Sequence, residues 1–371
     1  MKKIVFVYWD LQKGGAELVA LNLVNQLVKQ GLSVDILTLN KLNDFSHHPG
    51  SKYVISVEKN RYNGNVKLLK YFSYSVNLVK LFLKLRRYDV LVAGLEYRPS
   101  ILVALSSFLL RKPFNIWVHC SLKEYSQSVG MIENYLFKKS LARAMQIVCC
   151  SNSSKASLLE YKPDIKNKSI VINNFIDFTL YEQSDNIILS NSENRKFTII
   201  SVGRLDKVKG FEFLINAFYY MQDKYNINCQ LVICGGGKLR NELEQQITRL
   251  YLNSNVHLLG TVNNVVDHLK AADLFISSSI TEAYSISVLE ALYSGLPVIV
   301  TNTGSKEIID KFGVGDIIDY GNVEELSLLM YKYISNKNYY YSQAEKIRKL
   351  NFTDVNNSII DGWNLALEKL C

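Results

Sequence analysis

The feature that most constrains this chain is a rhythm. Short apolar, β-rich runs recur between stretches with the 3.6-residue period of helices. The first series is "KIVFVYW" (3–9), "LSVDILTLN" (32–40), "YDVLVAG" (88–94), "FNIWVHC" (114–120) and "MQIVCCS" (145–151). Between the first two lies "GGAELVALNLVNQLVKQG" (14–31), a helical pattern closed by Gly31 just past its end. Strand, helix, strand, repeated, gives a parallel sheet with helices on both faces. Residues 178–196, "FTLYEQSDNIILSNSENRK", break the rhythm and read as a linker. A second series follows: "FTIISVG" (197–203), "CQLVICG" (229–235), "NVHLLG" (255–260), "ADLFISSS" (272–279) and "LPVIVTN" (296–302). The expected fold class is therefore α/β, with two doubly wound parallel-sheet domains.

Length agrees, since 371 residues exceed what one core usually holds. The expected division is 1–177, a linker at 178–196, 197–353, and an amphipathic helix at 354–371 that packs back on the first domain. With 48% hydrophobic and 21% charged residues the chain is globular. Its six cysteines form no CxxC pair, and several sit in apolar runs, as buried free thiols do in a reducing compartment. The apolar run Ile4–Trp9 stops at Asp10, short of the apolar region of a secretion signal. The longest apolar stretch, "ILVALSSFLL" (101–110), is too short to span a bilayer and predicts a buried helix. A cytoplasmic location is expected.

Charge is uneven. Residues 1–180 carry 25 Lys+Arg against 12 Asp+Glu, and residues 181–371 carry 18 against 22. A basic first half suggests an anionic partner. Nucleic acid is disfavoured, because the basic residues lie among aliphatics without an aromatic stacking platform. The segment "NVKLLKYFSYSVNLVKLFLKLRR" (65–87) mixes Lys and Arg with Leu and Phe. It reads either as a core helix with a wet basic face or as a segment lying on an anionic membrane, as on the cytoplasmic face of an inner membrane.

In doubly wound sheets, ligands bind beyond the carboxyl ends of the strands, and two such sheets suggest a cleft between domains. Chemistry is therefore sought just after the strands. Gly14 and Gly15 follow the first strand and open a helix, whose free N–H groups suit an anion. The pattern is not GxGxxG, so a nicotinamide site is poorly supported. His119 ends a strand and serves either as a sheet cap or as a ligand contact. "GRLDKVKG" (203–210) sets Arg204, Lys207 and Lys209 between two glycines, a loop suited to a diphosphate. "CGGGKLR" lacks Walker spacing and reads as a structural turn. In "TEAYSISVLEALYSGLP" (281–297), Glu282 and Glu290 stand eight apart without a local cation. A helix is expected from about Ser285 to Gly295, with Glu290 about two turns in. The N–H groups around Ala283, Tyr284, Ser285 and Ile286 would then face a phosphate, and the carboxylates would accept from vicinal hydroxyls.

Taken together these residues resemble the retaining nucleotide-sugar glycosyltransferases of family 4, with the GT-B fold. The motifs are "GGAE", His119, "VINNFID" (171–177), "GRLDKVKG", "GGGK", Glu282 to Glu290, and "ALYSGLPVIVTNTGSKEII". They run in the family's order over nearly the whole chain. The resemblance implies two Rossmann-like domains facing across a cleft, the first binding acceptor and the second the donor. It implies that Arg204 and Lys209 bind the donor diphosphate and stabilise it as it leaves, and that Glu290 holds the ribose. Glu282 would meet the transferred sugar, His119 its 6-position, Gly15 a phosphate, and Thr261 and Val262 the base. The two carboxylates would then be partnered by ligand hydroxyls rather than by Lys or Arg. No cofactor is implied, and no metal. The partners implied are a nucleotide-sugar, probed first as UDP-linked, and a glycan or polyprenyl-diphosphate-linked acceptor of bacterial surface polysaccharide. The family usually has glycines where this chain has Ala283 and Ser285, and the "VINNFID" turn lacks its glycine too. Two other readings are a non-catalytic subunit that activates a partner enzyme, and a nucleotide-sugar epimerase or phosphorylase on a related fold.

Overall fold

A computed structural model of the chain describes residues 2–12, 14–57, 78–181, 195–262 and 264–370. It divides into two compact units, Met1–Asp177 with Thr353–Cys371, and Phe178–Phe352. Residues 182–194, most of the expected linker, and residues 65–77 of the basic segment lie outside the described residues.

The first unit is built on strands β1 (Lys3–Tyr8), β2 (Ser33–Thr38), β3 (Val54–Ser56), β4 (Val90–Ala93), β5 (Phe114–Val118), β6 (Gln146–Cys149) and β7 (Ser169–Val171). All pair in parallel, in the order β3-β2-β1-β4-β5-β6-β7. Its helices are α1 (Gly15–Lys29), α2 (78–85), α3 (Arg98–Leu110), α4 (Leu122–Tyr125), α5 (Met131–Arg143) and α6 (Asn152–Tyr161). Strands covered on both faces have no wet side, which is why they read as unbroken apolar runs. On one face, Val5, Val7, Leu91, Ile116 and Val118 share a core with Leu81, Val103, Phe137, Leu141 and Leu158 from the helices. Phe6 and Trp117 alternate to the other face. There they meet Trp363, with ring centroids 5.6 and 4.6 Å away. Trp363 belongs to the last helix (Phe352–Glu368), which Asn115 Nδ2 also holds through the Ala366 carbonyl at 3.3 Å. Asp177, in the turn that ends the unit's first segment, pairs with Lys29 at 3.2 Å.

The second unit contains β8 (Phe197–Val202), β9 (Cys229–Cys234), β10 (Val256–Gly260), β11 (Leu274–Ser277), β12 (Val298–Thr301) and β13 (Asp316–Ile318). They too are parallel, in the order β10-β9-β8-β11-β12-β13. Its helices are α7 (Phe211–Tyr225), α8 (Arg240–Arg249), α9 (Val265–Lys270), α10 (Ile286–Tyr293), α11 (Lys306–Phe312), α12 (Val323–Ser335) and α13 (Lys337–Arg348), whereas α14 (Phe352–Glu368) belongs from Thr353 on to the first unit.

Three differences from the sequence reading have plain causes. β3, β7 and β13 were not expected; each has three residues and pairs on one side only, so neither run length nor periodicity marks it. Phe178, the first residue of the expected linker, is packed, stacking on Tyr293 at 4.2 Å and meeting Phe352 at 5.0 Å. The apolar stretch 101–110 is not a buried helix. α3 covers the sheet with Val103 and Ala104 but leaves Leu105, Phe108 and Leu109 more than half exposed. A helix apolar all round normally has neighbours all round, and α3 has them on its inner side.

The Trp363 contacts tie the last helix to the first unit's stability. Trp363→Ala should cost about 3–5 kcal/mol, since a large buried aromatic leaves a cavity between Phe6 and Trp117. Urea unfolding followed by tryptophan fluorescence measures it, and a loss under 1 kcal/mol would contradict this packing (~3–5 expected).

Candidate active site

In the second unit, β8 neighbours β11 on one side and β9 on the other. Chain direction across the sheet reverses there, so the loops after β8 and β11 flank the crevice where such sheets take ligands. These two loops carry the expected basic motif and Glu282.

The loops touch backbone to backbone. Gly210 sits at φ +63, and a Cβ on it would lie 2.1 Å from the Ser278 carbonyl oxygen. The Ile280 N–H donates to the Val208 carbonyl at 2.7 Å, and Ser278 Oγ to the Lys209 carbonyl at 2.9 Å. The Lys209 side chain runs over Gly203, where a Cβ would stand 3.3 Å from Lys209 Cδ. Its ammonium ends on the Glu282 carboxylate. Glu282 therefore has a protein cation as partner, contrary to the sequence expectation that ligand hydroxyls alone would partner it. The sequence hides this because Lys209 stands 73 residues away. The Glu282 backbone is fixed in turn by the Gly304 N–H, which donates to its carbonyl at 2.8 Å.

The other expected residues of this unit are placed differently. Arg204 is largely exposed, and its Nε donates to Asp206 at 2.8 Å rather than joining Lys209. Ala283, Tyr284 and Ser285 are buried, and Ser285 stands at the N-cap of α10 without a side-chain cap bond. Ile286 opens the helix. Glu290 is buried and lies a little over one turn inside α10, not two. Thr261 and Val262 follow β10 beside the glycine turn, where a Cβ on Gly236 would approach Thr261 Oγ1 to 2.8 Å. The turn itself is structural, since Cβ atoms on Gly235 and Gly237 would strike the carbonyls of Gly203 and Leu205 at 1.8 and 2.4 Å.

In the first unit the chain again reverses direction between β1 and β4. Gly15 opens α1, and Gly14 is its N-cap. The carboxylate of Glu17 folds back there, 2.3 Å from where a Gly14 Cβ would stand. A phosphate approaching this helix end must displace that carboxylate. His119 follows β5. Its Nε2 is buried without a partner among the described residues, while the ring's other nitrogen bonds to the Gly94 backbone. Burial lowers its pKa to about 3, against a small rise from that bond. The imidazole is thus neutral at pH 7 and offers Nε2 as an acceptor, which suits a hydroxyl donor.

Glu96 was missed by the sequence reading. Its carboxylate accepts from the backbone N–H groups of His119 and of Cys120, the latter at 2.9 Å. Burial raises its pKa, opposed by those N–H donors. The next residue, Tyr97, holds φ 55 and ψ −108, a strained conformation of the kind that clusters at functional sites. A carboxylate three residues past the end of β4 was the available signal. The five described cysteines are free, and burial pushes Cys149 up to about 12 and Cys234 to about 11.

The His119 environment sets an acid limb. Above about pH 6.5 the ring is neutral in both folded and unfolded chains. As pH falls from there towards 3, the unfolded chain takes a proton that the folded ring refuses, so stability drops, by at most about 1.4 kcal/mol per pH unit. His119→Gln should flatten the fall in urea midpoint between pH 6.5 and 4. An unchanged slope would show that the ring titrates normally.

Comparison with known proteins bears on the family and the fold. The model described as Glycosyltransferase Family 4 matches residues 13–180, and that described as Glycosyl transferases group 1 matches residues 183–350. A glycosyltransferase of Methanocaldococcus jannaschii is 31% identical over 265 residues, covering 63% of this chain and 64% of that protein. The UDP-Gal:alpha-D-GlcNAc-diphosphoundecaprenol alpha-1,3-galactosyltransferase of Escherichia coli is 25% identical over 314 residues, 81% of this chain and 78% of that one. The crystal structure of Anabaena HepE in complex with UDP and glucose superposes with a TM-score of 0.79 at 20% identity, covering 98% of this chain and 100% of that chain. With two matched models covering most of its length and a doubly wound sheet in each unit, the chain belongs to the family 4 glycosyltransferases of the GT-B fold.

Proposed function

We propose that this glycosyltransferase moves a hexose or N-acetylhexosamine, with retained anomeric configuration and without a metal, from a UDP-linked donor to a glycan or polyprenyl-diphosphate-linked acceptor in surface polysaccharide synthesis. The carrying observation is Lys209 held on Glu282 over the β8–β11 crevice, beside the uncapped N-terminus of α10. The E. coli relative, named for a UDP-Gal donor and a diphosphoundecaprenol acceptor, and the UDP complex of the Anabaena protein support the donor and acceptor classes. A lipid-linked acceptor would keep the enzyme at the cytoplasmic face of a membrane. No helix among the described residues is long and apolar enough to cross one.

In this reading the acceptor oxygen bonds to the anomeric carbon as the bond to the diphosphate breaks, on the same face. The acceptor proton passes to a diphosphate oxygen. Lys209 and Arg204 meet the negative charge that develops on the leaving group, and a charge held in place beforehand needs no reorganisation. Glu290 takes the ribose hydroxyls, and Glu282 the sugar. Gly15 and His119 are assigned the donor phosphate and the 6-position, and Thr261 and Val262 the base.

A panel of nucleotide-sugars, screened by thermal stabilisation and then by product formation with NMR of the new linkage, tests donor and retention together. An inverted product overturns retention, and turnover abolished by EDTA overturns metal independence. Glu290→Ala should weaken UDP binding about 10- to 100-fold, the loss of a charged hydrogen-bond set worth ~1.5–3 kcal/mol. Unchanged UDP affinity would remove Glu290 from the site. Arg204→Ala and Lys209→Ala should each lower kcat by about 10²-fold with a smaller change in KM, because their contacts strengthen as charge develops. A rise in KM at constant kcat would assign them to ground-state binding only.

A further inference from the structure

We infer that the outer face of α3 and α5 docks on an anionic lipid bilayer, a step that deepens the proposed function by naming the surface that meets a membrane-held acceptor. The two helices run side by side in the same direction. Arg98 Nε lies 3.3 Å from Glu133 Oε1 near their N-terminal ends, and the Arg143 guanidinium sits 4.5 Å from the Phe108 ring centre near their C-terminal ends. Their inner sides supply Val103, Ala104, Phe137 and Leu141 to the core. Their outer sides leave Leu105, Phe108, Leu109, Ile132, Tyr135 and Leu136 exposed, Ile132 at 78%. Apolar exposure on neighbouring helices exceeds the scattered single residues usual on a surface and marks an interaction face.

Charge decides the occupant. Arg111, Lys138, Lys139 and Arg143 stand among these side chains, and Glu133, the sole acid on the two helices, is paired with Arg98. Lys139 lies 5.4 Å from the Tyr135 ring centre. Long basic side chains lying along aromatic and aliphatic neighbours can reach lipid phosphates while the apolar groups enter the acyl boundary. A cavity of about 560 Å³ opens beside the first half of α5, lined among others by Lys123, Asn134, Lys138 and Tyr161 together with Met131 and Tyr135. Glu160 lines it too and pairs with Lys123 at 2.7 Å, which leaves Lys138 as the ammonium group it sets next to the apolar face.

The face differs from the basic segment 65–87. In the described part of that segment, Leu81 and Leu85 are buried in the core and Lys84 Nζ donates to the Ser56 carbonyl at 2.8 Å.

The test is co-sedimentation with vesicles of phosphatidylcholine alone or mixed with phosphatidylglycerol, at low and high salt. The full chain should bind the mixed vesicles, with binding that falls as salt rises. Lys138→Gln, Lys139→Gln and Arg143→Gln should each reduce partitioning about fivefold, and together about a hundredfold. Phe108→Asp with Ile132→Asp should abolish binding, while UDP still raises Tm as it does in the parent chain, since both positions are exposed and lie in the other unit. Failure of the parent chain to bind phosphatidylglycerol vesicles at low salt overturns the inference, as does parent-like binding by the variants. Loss of self-association in the Phe108 and Ile132 variant, with vesicle binding intact, would assign the face to a second copy instead. Turnover on a water-soluble acceptor is measured alongside. Turnover without vesicle binding overturns docking alone, and vesicle binding without turnover overturns the transferase reading alone.

Discussion

Two loops of the second unit approach each other more closely than side chains would allow, and the candidate chemistry hangs on that approach. Gly210 lies against the Ser278 carbonyl, and the loop hydrogen bonds from Ile280 to Val208 and from Ser278 to Lys209 join the two backbones. Backbone contacts position more firmly than side chains, which keep rotamer freedom. Lys209 and Glu282 therefore inherit their places from main chain. Further glycines repeat the device: Gly235 and Gly237 lie on the 203–205 segment, and Gly304 on the Glu282–Ala283 backbone. The second unit's loops form a stack of close main-chain contacts with the ion pair on it.

That ion pair makes the unit's charges unequal in readiness. Lys209 is held and partly shielded, whereas Arg204 is exposed and tied only to Asp206. A shielded charge acts through a lower effective dielectric than an exposed one, so it does more for a developing negative charge. In the proposed reaction Arg204 would have to gain order on binding, at the cost of side-chain freedom. The same logic applies in the first unit, where Glu96 fixes the backbone at His119 through two N–H donors and burial keeps the imidazole neutral.

The first unit treats its two sheet faces differently. One is sealed by α1 and by the returning C-terminal helix, with Trp363 between Phe6 and Trp117. The other carries α2, α3, α5 and α6, whose inner sides fill the core while α3 and α5 keep apolar outer sides. Burial stabilises the inner sides, and nothing in the core requires Phe108 or Ile132 to be apolar outside it. Their composition is a property of the surface and not of the fold.

The α/β class and the two sheets were legible because strands buried on both faces must be apolar throughout, and helices on a sheet must keep their period. The family was legible because its loop motifs follow those strands in order. The three-residue edge strands were not, since strands that short leave no pattern. Nor was the partner of Glu282, although both loops could be read separately. Sequence order sets Lys209 and Glu282 73 residues apart. Only the parallel pairing of β8 with β11, which skips β9 and β10, makes their loops neighbours. The sequence by itself determined which residues follow which strands. The tertiary structure decided which strand ends lie side by side, and so which charges meet, because sheet order is a long-range choice that local periodicity does not encode.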